Sequence, residues 1–367
     1  MIYILHRTAE CKRKRRQEPV GLGLQVPAFL IRIFKSDDLG GPYMAKYIIK
    51  RILMVPVLLL LIAMFVFFLL NLSEADPVLM MMPAEYSQED YDEMAERFGL
   101  DKPKPVQFVN WVKSAVTGEF GTSYKSKAAV SDEVLYRIPV SLKLAGVTTL
   151  LMILIGVPMG VMCAVKQYSV YDNIVNIAAK FMGSIPGFWL GLMLILVFSV
   201  NLHWLPSFGM KSWKSWILPV FTFLLPYLAN YLRQVRSAML DCIRQDYVRT
   251  SRSKGQKESV VIFRDALKNA LLPIITLTGG TFASMIGGAV MIEQVFAFPG
   301  IGYKVLEGIN NRDMPVILAC TIILALFTIG AQLIIDILYA VVDPRIRSSF
   351  AGKKKVKKEI STAGGTN

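Results

Sequence analysis

Six runs of 18 to 24 residues without a charged side chain divide this sequence, at 52–72, 144–165, 181–202, 215–232, 269–292 and 314–335. A helix rises about 1.5 Å per residue, so roughly 20 apolar residues cross the ~30 Å hydrocarbon layer of a bilayer. No water is available there, so each backbone N–H and C=O must find its partner within its own segment, and the runs are predicted to be helices. The fourth run is the shortest and is interrupted by Pro219 and Pro226. A soluble core does not accommodate them. Hydrophobic residues make up 54% of the chain and charged ones 19%, against about 25% charged in soluble domains. The expected fold is an all-α polytopic membrane protein with six transmembrane helices.

Six crossings return both termini to the same side, and the basic residues say which. Of the 41 Lys+Arg, 29 fall on the side that holds both ends and the 233–268 segment, and 12 on the other. The bias survives when residues 1–43 are left out. By the positive-inside rule, both termini and the 233–268 loop are predicted to be cytoplasmic. The formal charge of +14 is divided among membrane-proximal loops and not gathered on one domain, which argues against nucleic-acid binding. Residues 1–43, with Lys12-Arg13-Lys14-Arg15-Arg16 and an interrupted apolar stretch, lack a clean signal-peptide pattern. Met44 reads as a natural start, which makes 1–43 an expected extension or misassigned leader. The remaining expected divisions are 44–136 (first helix plus an extracytoplasmic region), 137–342 (five helices) and 343–367 (a basic tail).

The 73–143 segment is predicted to carry two short outer helices. Ser87 stands three residues before Asp90, a capping signature, and Tyr91, Met94, Ala95 and Phe98 form an apolar stripe that Gly99 ends. A second amphipathic stretch runs over 106–116. Their apolar faces are expected to pack on the membrane domain.

On the inner side, 241–268 differs from an ordinary hairpin. Asp246-Tyr247-Val248-Arg249-Thr250-Ser251-Arg252-Ser253-Lys254-Gly255 places small residues between charges and closes on a glycine that can end a helix. Topology explains the charges but not the small residues. A short helix that is small on one side and basic on others can press into a groove of a partner.

That decad, continued by Ala266-Leu267-Lys268-Asn269-Ala270-Leu271-Leu272-Pro273, resembles the cytoplasmic "EAA" loop of ABC-importer permeases. More closely, it is similar to the B-type permease of the dipeptide/oligopeptide/nickel subfamily. Four further blocks agree in order. They are Asp76-Pro77 with Gly99-Leu100-Asp101-Lys102-Pro103, Gln107-Phe108, Trp111, Gly118 and Gly121-Thr122-Ser123; Ser184-Ile185-Pro186-Gly187-Phe188-Trp189; Glu293-Gln294-Val295-Phe296 with Pro299-Gly300-Ile301-Gly302; and Asp343-Pro344-Arg345-Ile346-Arg347. Arg249-Thr250-Ser251 stands where the general signature has Glu-Ala-Ala, and the 255–273 interval is longer, both as in the peptide/nickel branch. The resemblance implies a type-1 ABC transmembrane domain. Its implied partners are a second (C-type) permease, two ATPase subunits that bind ATP and Mg, and an extracytoplasmic substrate-binding protein. The implied cargo is a peptide, with nickel or another small solute as the alternative, and residues 246–255 are implied to couple to the ATPases.

The chain offers little chemistry of its own. It contains no G-x-x-x-x-G-K-[ST] phosphate loop, and the glycine pairs at 279–280 and 287–288 sit in an apolar span, where helix packing accounts for them. Two histidines (His6, His203) and four scattered cysteines (Cys11, Cys163, Cys242, Cys320) match no metal or redox spacing. No catalytic residue, resident cofactor or metal site is expected. Ser184, Pro186, Asn230, Thr276, Thr278, Thr281 and Ser284 are candidates to line a passage, since irregular helices with small polar groups do so. Glu293, Phe296, Pro299, Gly300 and Gly302 are candidates for an outer gate or binding-protein contact. Glu293 and Asp336 are the carboxylates nearest the span ends. An ion-coupled carrier would need ionisable groups near mid-membrane, and an intramembrane hydrolase would need paired nucleophilic groups. Neither pattern is present.

Overall fold

Each long apolar run becomes a helix, and the breaks fall where proline or glycine requires them. The computed structural model describes residues 42–72, 76–83 and 85–342. The predicted extension up to residue 41, the 343–347 motif, the basic tail and the cytoplasmic placement of both chain ends lie outside those residues. Among the described residues the regular structure is helical, apart from one isolated antiparallel bridge between Thr122 and Ala129. Among the described residues five helices are long and apolar enough to cross a membrane, or six when one bent pair counts as a single crossing.

The first crossing, α1 (Pro42–Asn71), packs on the last one and has only 11% of its apolar window buried, so it lies at the periphery. Three short outer helices follow: α2 (Pro77–Met81), α3 (Gln88–Phe98) and α4 (Lys104–Val116). The Ser87 hydroxyl accepts from the Asp90 N–H and the Asp90 carboxylate accepts from the Ser87 N–H, while Gly99, at φ 64, closes α3 as expected. The apolar sides of α3 and α4 (Met94, Phe98, Phe108, Trp111) meet Phe67 of α1 and Leu318 of the last helix, which seats the insertion on the membrane bundle.

After a turn of helix, α5 (Val130–Leu135), the bundle proper begins with α6 (Ile138–Val165). The third crossing corrects the expectation of one run over 181–202. It is two helices, α7 (Val170–Ser184) and α8 (Gly187–Leu194), bent by 96°. Pro186 lacks a donor and disfavours helical geometry at the preceding residue, and Ile185 indeed adopts φ −83, ψ 125. Phe181 therefore belongs to α7, and α8 continues into a π-helical segment, Ile195–Asn201. The next crossing, α9 (Ile217–Ile243), does not stop at residue 232 as its apolar run does. It continues through Arg233 and Arg236 to the inner end. Pro219 falls in its first turn, where no N–H is needed.

On the inner side follow α10 (Asp246–Ser253), one turn α11 (Glu258–Val260), a π-helical segment (Val261–Ala266) and the long α12 (Leu267–Val295), which continue one into the next from residue 258. A short outer helix, α13 (Ile301–Asn310), leads to the last crossing, α14 (Met314–Val342).

α6, α9 and α12 make the core, through Leu144, Met152, Phe223, Leu224, Tyr231, Met239, Met285 and Ile286. In lipid, helices associate by close packing and not by escape from water, so small residues decide the contacts. A Cβ on Gly156 would lie 2.7 Å from the Tyr231 ring, and one on Gly279 2.3 Å from Ile335 of α14. Gly288 likewise meets the Tyr227 hydroxyl, whereas Gly280 and Gly287 face open space. The packing role expected of the two glycine pairs thus holds for one member of each.

Candidate functional site

Three places in the bundle collect the residues that the sequence singles out. The first is the inner loop. Asp246 to Ser253 form one short helix, Lys254 caps it, and Gly255 at φ +74 reverses the chain with nothing near its missing side chain. That glycine is required by conformation and not by space. Val248 alone is buried, against the π-helical segment at the foot of α12. The Tyr247 hydroxyl reaches Cys242 and Asn269, and burial pushes its phenol above the ordinary range. Arg252 clamps Glu258 across the turn, with N–O distances of 3.1 and 2.7 Å, and Arg249 lies 3.9 Å from Asp246. Thr250 and Ser253 turn their hydroxyls back to the carbonyls of Asp246 and Arg249. Arg249, Thr250, Arg252, Ser253 and Lys254 lie at or near the surface. The result is a helix fixed by one apolar anchor and one phenol, with the rest of its surface free.

The second place is the face of α9 between α7/α8 and α12. A Cβ on Gly183 would touch Ala229 at 3.5 Å, which packs the end of α7, just before the Ser184–Pro186 break, against α9. Tyr231 shares a 2.6 Å hydrogen bond with Thr278, and the Tyr227 hydroxyl donates to the Ser284 carbonyl at 3.4 Å. Ser184, Pro186, Asn230, Thr278 and Ser284 are thus brought around one helix, with Ser184, Pro186, Asn230 and Ser284 exposed. The Thr276 and Thr281 hydroxyls turn back onto the carbonyls of α12 itself. The two tyrosines that tie this face together escape sequence reasoning, because each looks like an ordinary aromatic in an apolar run.

The third place is the outer end. Glu293, a carboxylate at a span end, is fully buried. Its carboxylate accepts from the Ser141 hydroxyl at 2.6 Å and from the Tyr303 N–H at 3.0 Å, while Ser141 in turn accepts from the Ile301 N–H at 2.9 Å. One carboxylate therefore joins α6, α12 and the first turn of α13, where free N–H groups favour a negative charge. Gly300 and Gly302 are the close approaches that permit this. A Cβ on Gly300 would lie 2.2 Å from the Glu293 carboxyl carbon, and one on Gly302 2.4 Å from the Val290 Cα. Phe296 is buried in the core, and Pro299 is partly exposed. Beside this knot lies an outer cavity of about 610 Å³, where Lys304 bridges Glu133 (2.7 Å) and Glu307 (3.2 Å).

Two ion pairs hold the inner ends of the crossings. Asp172, 1% exposed, receives Nε and Nη2 of Arg236 at 2.7 Å each, which fastens α7 to α9. Asp336 pairs with Arg51 of α1 at 2.5 Å. Ser169 before Asp172 is a readable capping signal, but no local pattern could join Asp172 to an arginine 64 residues away.

This arrangement is that of a multi-pass membrane protein, and among its described residues no group of three or more His, Cys, Asp or Glu that could hold a metal ion occurs. Residues 156–348 match the family described as the binding-protein-dependent transport system inner membrane component, and residues 44–145 match its N-terminal membrane component. The chain belongs to that family, the permeases of ABC importers. It is 41% identical over 314 residues to the oligopeptide transport system permease protein AppB of Bacillus subtilis (strain 168), covering 83% of this chain and 99% of that one. It is 34% identical over 304 residues to the glutathione transport system permease protein GsiC of Escherichia coli (strain K12), again 83% and 99%. The protein is accordingly a membrane permease component of an importer that works with ATPase and substrate-binding subunits.

Proposed function

We propose that this chain forms half of the translocation pathway of an ATP-driven peptide importer. A second, C-type permease supplies the other half, two ATPase subunits bind ATP and Mg on the inner side, and an extracytoplasmic binding protein delivers the cargo. The observation that carries the coupling reading is α10 itself: a largely exposed helix, anchored by buried Val248 and the Tyr247 phenol, on a segment continuous with α12. A docked helix of this kind makes different contacts in the two nucleotide states of its partner, which is what a switch requires. Residues 246–255 are the ATPase contact in this reading. Ser184, Pro186, Asn230, Thr278 and Ser284 line the passage, and the knot of Glu293, Phe296, Pro299, Gly300 and Gly302 shapes the outer mouth that meets the binding protein. The peptide assignment is supported by two relatives whose names concern an oligopeptide and glutathione.

The test is reconstitution into proteoliposomes. This chain alone should move no labelled peptide with or without ATP, whereas the complete assembly with its binding protein should. Gly255→Val should leave the chain in the membrane and reduce ATP-driven uptake at least tenfold, because a β-branched residue is strained at φ +74. Flux from the chain alone, or undiminished uptake by the variant, would refute the reading.

A further inference from the structure

Where the outer ends of the first and last crossings meet, the structure forms a cavity of about 510 Å³ that none of the roles above uses. That volume lies within the range of sites for small molecules. The position of the cavity follows from two spans. The 24-residue span of α1 ends at Asn71, that of α14 begins at Met314, and the two helices pack on each other. Leu69, Leu70 and Asn71 line the cavity from α1, and Met314 and Ile317 from α14. A span of that length brings its last turn to the edge of the hydrocarbon layer, so the cavity lies at the level of the outer headgroups. The outer helices α2 and α3 add buried Val78 and Ala95. Asp76 ties these two helices together, its Oδ1 accepting from the Val78 N–H at 2.8 Å and its Oδ2 from the Tyr91 hydroxyl at 2.6 Å.

The lining is apolar where it is buried and carries both signs of charge where it is exposed. Met314 and Ile317 are buried with Val78 and Ala95, whereas Asp92, Asp101, Lys104 and Arg312 are exposed. Among the described residues, the Asp101, Lys104 and Arg312 side chains make no ion pair or hydrogen bond, and Asp92 spends one oxygen on the Gln88 amide at 3.0 Å. Two carboxylates and two cations around one cavity suit a ligand that is itself a zwitterion, and the apolar lining suits one that carries hydrocarbon. Leu69 belongs both to the cavity and to the exposed surface of α1, where Phe65 and Leu61 follow it at intervals of four residues. Such spacing makes one apolar strip, running from the cavity along the lipid-facing side of the helix. A soluble solute would leave that strip unused.

We propose that this cavity holds one zwitterionic phospholipid of the outer leaflet, with its phosphate on Lys104 and Arg312, its ammonium on Asp92 and Asp101, and an acyl chain laid along α1. The lipid fastens α1, the least buried of the five long crossings, to the outer helices, whatever the cargo of the importer. The experiment uses the full chain purified with its companion subunits in nanodiscs of equal parts phosphatidylethanolamine and phosphatidylglycerol. Native mass spectrometry after release into detergent then reads the lipid retained. Wild type should keep phosphatidylethanolamine in preference to phosphatidylglycerol. The double substitution K104Q/R312Q should reduce that adduct about tenfold, as for loss of charge-assisted contacts to the phosphate. D92N/D101N removes only the partners of the ammonium, so it should abolish the preference between the two lipids. All four residues are exposed, so the assembly should survive these changes. Glycerophosphoethanolamine, the same headgroup without chains, should displace little of the lipid. Four results would overturn the proposal: equal retention of the two lipids by wild type, an adduct unchanged in both variants, full displacement by the chain-free headgroup, or no retained lipid because a companion subunit covers the cavity.

Discussion

Gly300 can be tested as a residue whose missing Cβ makes room for the Glu293 carboxylate. Its backbone, at φ −94 and ψ −177, is open to any residue, so the requirement is spatial. The missing Cβ would sit 2.2 Å from the carboxyl carbon and 2.3 Å from both oxygens. Gly300→Ala must therefore push the carboxylate off the Ser141 hydroxyl and the Tyr303 N–H. Each buried donor left without a partner costs about 1–3 kcal/mol, which places the substitution near 4 kcal/mol. Glu293→Ala removes the same acceptors and opens a small void, at a similar cost. In the double variant the added methyl enters the space that the carboxylate vacated, so the second change should cost under about 1 kcal/mol. The cycle thus predicts a coupling of about 3 kcal/mol, at the upper end of what contacting residues show. Read as thermal midpoints of the purified assembly, at about 2–3 °C per kcal/mol for a chain of this size, each single variant should fall by roughly 10 °C. The double variant should fall only slightly further. Additive shifts would refute the reasoning, because they would mean that Gly300 and the carboxylate do not compete for one space.

The Asp172–Arg236 pair differs from Arg252–Glu258 in burial, with side-chain exposures of 21% and 2% for Arg236 and Asp172 against 40% and 57% for Arg252 and Glu258. Asp172→Asn should cost about 3 kcal/mol by leaving a mostly buried cation unpaired, whereas Glu258→Gln should cost under about 1 kcal/mol; equal midpoint shifts would contradict this. On the outer face, hydrogen bonds from the Ser87 hydroxyl and N–H hold the Asp90 carboxyl below its ordinary range. A lowered folded pKa contributes stability that is present at neutral pH and is lost as pH falls below about 4. Hydrogen-exchange protection at the start of α3 should decline there, and Ser87→Ala, which removes the hydroxyl but keeps the residue-87 N–H, should weaken that dependence; a profile unchanged by the substitution would count against the capping pair.

What could be read from the chain was whatever is decided locally. The spans follow from the absence of charge, α3 from Ser87, Asp90 and Gly99, and the end of α10 from Gly255, because in each case the deciding atoms lie within one or two turns. The Pro186 break was present in the sequence as well, but an apolar run carries no mark of direction, and the 96° bend is set by what α7 and α8 each find on α9. α7 is held by Asp172 on Arg236 and by Gly183 against Ala229, and α8 by Gly191 against Thr222. On the inner part of α9, Arg233 and Arg236 look alike on paper. Only the fold shows that one of them is neutralised and the other is not. Glu293 was visible as a carboxylate at a span end, but its partner Ser141 is 152 residues earlier and has no motif of its own.

The same distinction bears on how movement could pass through the molecule. α10 rests on the π-helical segment 261–266, which leads without a break into α12. α12 is tied to α9 through Thr278 and Tyr231, and α9 to α7 through Arg236 and Asp172. At the outer end, α12 is tied through Glu293 to α6 and α13. A push on α10 therefore has a continuous path of packed or hydrogen-bonded elements to both the passage and the outer mouth, while α1, lying at the edge against α14, is not on it. π-Helical turns recur at functional sites and are a poorer fit to the helical ladder than the α-helix on either side. The foot of α12 is thus the most deformable link in an otherwise close-packed path. On the proposed function, substitutions that stiffen 261–266 should alter how ATP hydrolysis is converted into transport more than they alter the stability of the bundle.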